Sequence, residues 1–234
     1  MYLSKQASIS TTILLSIFIV ILCSTISSAS PIEKRGRVPG CYNKAEFTQY
    51  WIPKEGDNDM TNNGKSITLS GAKTKALKDH KGKTIAKVSK TTYDKFQMEG
   101  TGLLLSGTMV NLGSHKNEFE KINRQKTPYG LGTNDNSLVP WVSVASNDIR
   151  KGTTLYIKKL DGVKLPNGMN HNGCVRVDDE GWGLNDCHID FFVLQFKSYK
   201  LLDHILPEHI SVVAKSCTPL DYINKSVKKW AVLT

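Results

Sequence analysis

Short apolar segments separated by polar turns run through most of this chain. In the first half, the aromatic and β-branched segment 47–52 ends at Pro53, and a loop rich in Gly, Asn and Asp follows at 55–65. Brief alternation of apolar and polar residues, ended by turn residues, predicts β-strands. The same pattern predicts further strands at 67–69, 84–88, 102–105, 109–112, 139–145, 153–157, 173–177 and 189–196.

Helical periodicity is weak and is limited to segments 199–206 and 221–230. The polar segment 114–136 is predicted to be an inserted surface loop or a short helix. We therefore expect a mostly β fold whose strands are brief enough for a closed or strongly bent sheet, with one or two short helices.

The first thirty residues have the pattern of a secretory signal peptide. Lys5 precedes an apolar run at 13–22, and small residues follow at 27–30. The run is shorter than the roughly twenty residues that a bilayer-spanning helix needs, so a permanent anchor is the less favoured alternative.

Residues 31–35 end in the dibasic pair Lys34-Arg35. We expect a short propeptide cut there by a dibasic-specific protease of a eukaryotic secretory pathway; an ordinary exposed basic pair is the alternative. The mature, secreted chain would be a single domain over 36–234. It would carry 28 basic and 20 acidic residues, a net charge of +8.

This positive charge favours anionic surfaces such as cell-wall polymers. The lysines at 73–87 stand in turns, without the interleaved aromatic residues of a nucleic-acid motif. Solvated loops explain them better, so no nucleic-acid partner is expected.

Four cysteines follow the signal peptide: Cys41, Cys174, Cys187 and Cys217. In an exported chain they imply two disulfides, with three possible connectivities. We favour Cys174 with Cys187, which closes a local loop, and Cys41 with Cys217, which ties the two ends of the domain together. No CxxC or HxxxH spacing supports a zinc site, and neither a metal nor a cofactor is expected.

Three segments of the C-terminal half carry recognisable motifs. They are Pro140 to Ala145 with Asn147, Gly152-Thr153 and Leu155 to Ile157; then Cys174 to Gly181; then His188 to Phe192. They resemble the barrel segments of the three-aspartate, MltA-like family of lytic transglycosylases, and Thr48-Gln49-Tyr50 is similar to the family's first barrel strand. Asp179 and Asp190 are eleven residues apart, like the family's second and third aspartates.

The resemblance covers about half of the mature chain. It implies a six-stranded double-psi β-barrel of the RlpA-like and expansin-like superfamily, with its core motifs at 138–196. It also implies lytic transglycosylase chemistry: one carboxyl protonates the glycosidic oxygen, and the muramic 6-hydroxyl then attacks to give a 1,6-anhydro sugar. Where the family has its first aspartate this chain has Asn147, with Asp148 beside it.

Strand geometry gives Asp190 the surroundings of a general acid. On a strand, Asp190 and Phe192 share one face, and the glycine-rich turn 181–185 would bring Asp179 near them. Partial burial and a nearby carboxylate both raise the pKa of a carboxyl. We expect Asp190 to be the acid and Asp179 to orient it; turn-capping aspartates are the alternative.

Other residues are candidates for sugar contact. Glu99 is a reserve second carboxylate, and Trp182 is the best stacking platform. Turns explain Glu99 and His171 equally well or better. The complete set of substrate-binding candidates is Asn147, Thr48, Tyr50, Glu99, Gly181, Trp182 and His171, and Asn224 lies in the only N-glycosylation sequon.

We therefore expect a secreted, monomeric enzyme of the lytic transglycosylase type, acting on peptidoglycan or a related cell-wall polysaccharide, without membrane contact once the signal is removed. One alternative is a non-catalytic, expansin-like protein that binds or loosens cell walls, which Asn147 favours. Another is an inhibitor or effector that uses the barrel only as a scaffold.

Overall fold

The computed structural model describes residues 38–233 except residue 116; the predicted signal peptide and propeptide lie outside these residues. The described part is mostly β, as predicted. Its strands are β1 Ala45–Tyr50, β2 Asn58–Met60, β3 Ser66–Thr68, β4 Lys75–Lys78, β5 Thr84–Val88, β6 Thr101–Leu103, β7 Met109–Leu112, β8 Phe119–Lys121, β9 Ser143–Ala145, β10 Thr154–Ile157, β11 Cys174–Asp179, β12 His188–Phe192, β13 His209–Ile210 and β14 Val212–Ala214.

The described residues also form three α-helices: α1 Lys90–Glu99, α2 Phe196–Asp203 and α3 Lys225–Trp230. Short 3-10 helices lie at Gly40–Lys44 and Thr133–Asp135. Helices α2 and α3 confirm the two predicted helical segments. Segment 114–136 is neither a plain loop nor an α-helix, because it contains β8 and the second 3-10 helix. None of the helices in residues 38–233 has the length and apolarity to span a bilayer.

One seven-stranded sheet joins β1 to the strands of the C-terminal half, in the order β13-β1-β12-β9-β11-β10-β14. Strands β1 and β12 are parallel, as are β9 and β11, and the other neighbours are antiparallel. The two edge strands, β13 and β14, are separated in the chain only by Ser211. Because the two ends of the sheet are this close along the chain, the sheet must curl strongly, although its strand pairing within the described residues stays open.

The main core lies under one face of this sheet. Ile189 and Phe191 of β12 are fully buried, together with Val144 and Val177 of the neighbouring strands. The ring of Phe191 stacks with that of Phe47, with centroids 6.0 Å apart. On the opposite face, Asp190 is half-buried between the buried side chains of His188 and Phe192.

Helix α1 packs beside the smaller sheets and was not predicted. Ser89 caps its N-terminus by accepting a hydrogen bond from the Thr92 backbone, and Gly100 ends it at φ 76°. Its buried side chains include Lys95 beside Phe96, so a charged residue points inward. This inward charge conceals the apolar periodicity by which a helix is recognised in a sequence.

The disulfides join Cys41 to Cys187 and Cys174 to Cys217, so the predicted connectivity is wrong. The sheet topology explains the observed pairs. Cys187 precedes β12, which lies parallel to β1, and its carbonyl accepts a hydrogen bond from the backbone N–H of Glu46. Cys41 precedes β1 and therefore lies beside Cys187. Strand β10 lies between β11, which begins at Cys174, and β14, which leads to Cys217.

Candidate active site

Four residues form a row across adjacent strands of the main sheet. Asp190 pairs with Thr48 on one side and with Ala145 on the other, and Ala145 also pairs with Asp179. Paired residues on neighbouring strands point to the same face. Because strands lie about 4.8 Å apart, the two aspartates share one face with their Cα atoms roughly 10 Å apart.

Asp190 is half-buried within this row. The hydroxyl of Thr48 donates a hydrogen bond to its Oδ1 at 2.7 Å. Burial raises the pKa of Asp190 to about 7, the Thr48 hydrogen bond opposes the rise, and the carboxylates of Glu99, Asp179 and Glu46 add to it. A carboxyl with this pKa is partly protonated at neutral pH, as a general acid must be.

Asp179 is held in a fixed orientation by donors from two distant parts of the chain. The backbone N–H and hydroxyl of Thr133 donate to its Oδ1 at 2.8 and 2.9 Å, and the Tyr50 phenol donates to Oδ2 at 3.2 Å. Burial and the Asp179 charge raise the pKa of Tyr50, so the phenol keeps its proton. Thr133 belongs to segment 114–136, so this segment reaches the site.

Glu99 approaches Asp190 from the end of α1. Its carboxylate accepts a hydrogen bond from Lys95 at 2.6 Å. The buried Lys95 ammonium also lies 3.2 Å from Asp59 and 5.1 Å from the centroid of the Trp51 ring. Lys95 therefore fixes the position of the Glu99 side chain. The negative charge of Glu99 raises the pKa of Asp190.

The Asn147 amide bonds to the loop after β11 instead of to Asp190. Its nitrogen donates to the carbonyls of Gly181 and Leu184, both at 2.9 Å, and its oxygen accepts from the Gly181 N–H at 3.0 Å. Asp148 is likewise engaged elsewhere, accepting from the Cys187 N–H at 3.0 Å. The carboxylate that the resemblance leads one to expect here is therefore absent from the row.

Replacing Asn147 with Asp would install the residue implied by the resemblance. A carboxylate cannot donate, so it would face two carbonyl oxygens without a proton between them. We expect the free energy of unfolding to fall by about 1–2 kcal/mol in urea titrations. Asn147→Ala is the matched control; unchanged stability in Asn147→Asp would contradict a clamping role.

Trp182 lies on the loop that Asn147 clamps, and its side chain is completely exposed. A side chain added at Gly181 would collide with Leu184, since its Cβ would lie 2.5 Å from that side chain. Gly181 therefore keeps the loop compact, and Trp182 remains free to stack on a ligand.

His171 is a core residue, so its predicted role in sugar contact is wrong. Its ring lies parallel to that of Tyr222 with centroids 5.0 Å apart. Nδ1 accepts from the Gly173 N–H, and Nε2 therefore donates to the Trp141 carbonyl, both at 2.8 Å. Burial lowers the pKa of His171 to about 4, so the ring is neutral and packs within the core.

Asn224 caps the N-terminus of α3. Its side-chain oxygen accepts from the backbone of Ser226 and Val227, and its nitrogen donates to the Asn167 carbonyl at 3.1 Å. Glycosylation of this sequon stays a prediction.

One group of described residues, Cys41, Asp148 and Cys187, brings potential metal-ligand atoms together. Its cysteines form a disulfide, so neither thiolate is available to a metal ion.

Comparison with known proteins finds no matching protein-family model and no matching curated protein. Solved structures that are similar to this one include MltA and other lytic transglycosylases. Escherichia coli MltA with bound chitohexaose is 14% identical, with 73% of this chain and 71% of that chain covered and a TM-score of 0.49. A membrane-bound lytic murein transglycosylase from Agrobacterium tumefaciens is 10% identical, with 72% of each chain covered and a TM-score of 0.44. At this level of similarity, the function has to be argued from this chain's own residues.

Sequence reasoning missed three residues of the site: Glu46, Thr133 and His188. His188 was recognisable, because it precedes Asp190 by two positions and alternation puts both on one face of β12. Thr133 was not, because its contact with Asp179 joins chain segments that no local pattern connects.

Proposed function

We propose that this protein is a secreted glycan-cleaving enzyme of the lytic transglycosylase type, with Asp190 as its general acid and base. The observation that carries the proposal is a half-buried carboxyl that accepts a hydrogen bond from Thr48 and whose pKa is raised to about 7 by burial, with the charges of Glu99 and Asp179 adding to the rise. The substrate is peptidoglycan or a related cell-wall polysaccharide, as the sequence resemblance implies.

The chemistry needs one proton carrier. Asp190 gives its proton to the glycosidic oxygen, the bond from that oxygen to C1 breaks, and C1 acquires oxocarbenium character. The sugar's own 6-hydroxyl then attacks C1 and returns a proton to the Asp190 carboxylate, which restores the acid. Neighbouring carboxylates favour both the protonated acid and the positive transition state. Asp179, whose oxygens already accept four hydrogen bonds, suits this electrostatic role better than that of a nucleophile.

The curled sheet supports the proposed six-stranded double-psi barrel. Strands β1, β12, β9, β11, β10 and β14 follow one another in the sheet. The 3-10 helix Gly40–Lys44 contacts both edge strands, β13 and β14, and so covers the gap between them. In a barrel this small the interior is filled by side chains such as Ile189 and Phe191, so the Asp190 row would lie on its outer side.

Two disulfides support export, because such bonds persist in oxidising compartments. We propose that removal of residues 1–35 releases a monomeric single domain that binds the wall polysaccharide without a membrane anchor or cofactor. Its positive charge would help it reach anionic wall polymers.

The proposal is tested by incubating the purified protein with dye-labelled peptidoglycan, chitin and β-glucan. We expect soluble, dye-bearing fragments from peptidoglycan or one of the related polymers. All three polymers remaining intact in the presence of folded protein would refute the enzymatic function.

A non-catalytic wall-binding protein is the second candidate, favoured by the complete exposure of Trp182 and by the clamping role of Asn147. A protein of this kind binds one of the polymers, releases no fragments, and binds equally well after Asp190→Asn. An enzyme of the proposed type loses product formation in that variant.

A further inference from the structure

On the side of Asp190 away from Asp179, hydrogen bonds connect Asp190 through Thr48 to His188. Strands β1 and β12 lie parallel, so Glu46 pairs with His188 and Thr48 pairs with Asp190. Residues two apart on a strand share a face. These four side chains therefore form a compact group at the junction of the two strands.

The group is connected by short contacts. The Thr48 Oγ1 atom lies 2.7 Å from His188 Nε2 and 2.7 Å from Asp190 Oδ1. His188 is buried, and its Nδ1 lies 3.4 Å from a carboxylate oxygen of Glu46. That Nδ1 atom has no hydrogen-bond partner among the described residues.

The number of hydrogens on each group shows which atom donates in each of these hydrogen bonds. Thr48 has one hydroxyl hydrogen, which it donates to Oδ1 of Asp190, so its oxygen can only accept from His188. Nε2 of His188 must then carry a hydrogen. Burial lowers the pKa of His188, with Glu46 opposing the change, so the ring is neutral at neutral pH and its Nδ1 is bare.

We propose that His188 is a positioning residue, which acts through Thr48 to hold Oδ1 of Asp190 so that Oδ2 carries the transferable proton. The inference rests on the proposed function, since it assigns the orientation of the same acid. Because Oδ1 is occupied as an acceptor, the proton that reaches the glycosidic oxygen comes from a single, defined position. Pre-set geometry of this kind lowers the cost of reaching the transition state.

The hydrogen bond from Thr48 also affects the pKa of Asp190. The Thr48 hydrogen bond stabilises the carboxylate and opposes the rise in its pKa caused by burial. The other charged or titratable groups that act on Asp190 from packed elements are Glu46 and Tyr50 on β1, Asp179 on β11 and Glu99 on α1. If the Thr48 hydrogen bond is lost, burial and these carboxylates therefore raise the pKa of Asp190 further.

The test is titration of the Asp190 side-chain carbon by NMR in protein with 13C-labelled aspartate, with the signal assigned by its loss in Asp190→Asn. In Thr48→Val, we expect the midpoint to rise by about one to two pH units, since a hydrogen bond to a charged group is lost. Thr48→Ser keeps the hydroxyl and is expected to titrate like the wild type. His188→Leu is expected to shift the midpoint in the same direction by less, and His188→Gln, which keeps a donor, to restore it.

Unchanged midpoints in Thr48→Val and His188→Leu, in folded variants, would overturn the positioning role. The NMR titration needs no glycan, so it separates this inference from the proposed function. Shifted midpoints without cleavage of any polymer would refute only the enzymatic function. If polymers are cleaved, the alkaline limb of kcat/KM is expected to move with the NMR midpoint in each variant, and a limb that stays in place would count against His188.

Discussion

Replacing Asp190 with Asn is expected to reduce cleavage of a dye-labelled wall polymer by about 10²- to 10⁴-fold, the usual contribution of a general acid. The amide has the shape of the carboxyl and still accepts the Thr48 hydrogen bond, but it has no proton to transfer. Wild-type cleavage is expected to fall as the pH rises through about 7, because the raised pKa of Asp190 places the loss of its acid form there. Initial rates of dye release from pH 4 to 9 measure both effects.

Stability provides the control for this variant. The pKa of Asp190 is raised in the folded protein, so its stabilising contribution is complete below the pKa of an unfolded aspartate and is lost as the pH rises through about 7. Asp190→Asn cannot ionise, and we expect its melting temperature relative to wild type to increase between pH 4 and 8. An inactive variant that melts far below wild type at every pH would instead indicate structural damage.

Removing the Cys41 to Cys187 disulfide is expected to have the largest effect on stability. It joins residues 146 apart in sequence, whereas Cys174 and Cys217 are 43 apart. Chain-entropy estimates then give a loss of about 5 kcal/mol for the double Ser variant of the first pair and about 4 kcal/mol for that of the second. Urea unfolding of both variants gives the comparison.

Peptide mapping of the unreduced protein serves as the control for the bond pairing. Fragments joining Cys174 to Cys187 would contradict the observed connectivity, from which the two stability losses are predicted. If the Cys41 to Cys187 variant loses less stability than the Cys174 to Cys217 variant, loop length does not determine how much each disulfide stabilises the fold.

Most strands could be predicted because each is a short local pattern ended by turn residues. In strand β12, Ile189 and Phe191 on one face are fully buried, whereas Asp190 on the other face is only half-buried. Helix α1 could not be predicted, since Lys95 is buried among Asp59, Glu99 and Trp51, which are contributed by other parts of the chain or by the next helical turn. An ion pair formed in three dimensions leaves no apolar stripe in the sequence.

The site was predictable only as far as local patterns extend. The pairing of Thr48 with Asp190 depends on β1 lying parallel to β12, two strands that are distant in the chain. The disulfide pairing failed for the same reason, because strand neighbours, not sequence proximity, bring Cys41 to Cys187. His171 looked like part of an exposed turn, but stacking on Tyr222, 51 residues later, places it in the interior.

Mass spectrometry of the soluble products is the most direct test of the proposed chemistry at Asp190. Wild-type protein and Asp190→Asn are incubated in parallel with peptidoglycan, chitin and β-glucan. Anhydro-muropeptides released by the wild type alone are the predicted result. Hydrated reducing ends would contradict transglycosylation and shift attention to Glu99 or Asp179 as a second carboxylate, and equal product from both proteins would exclude Asp190 as the acid.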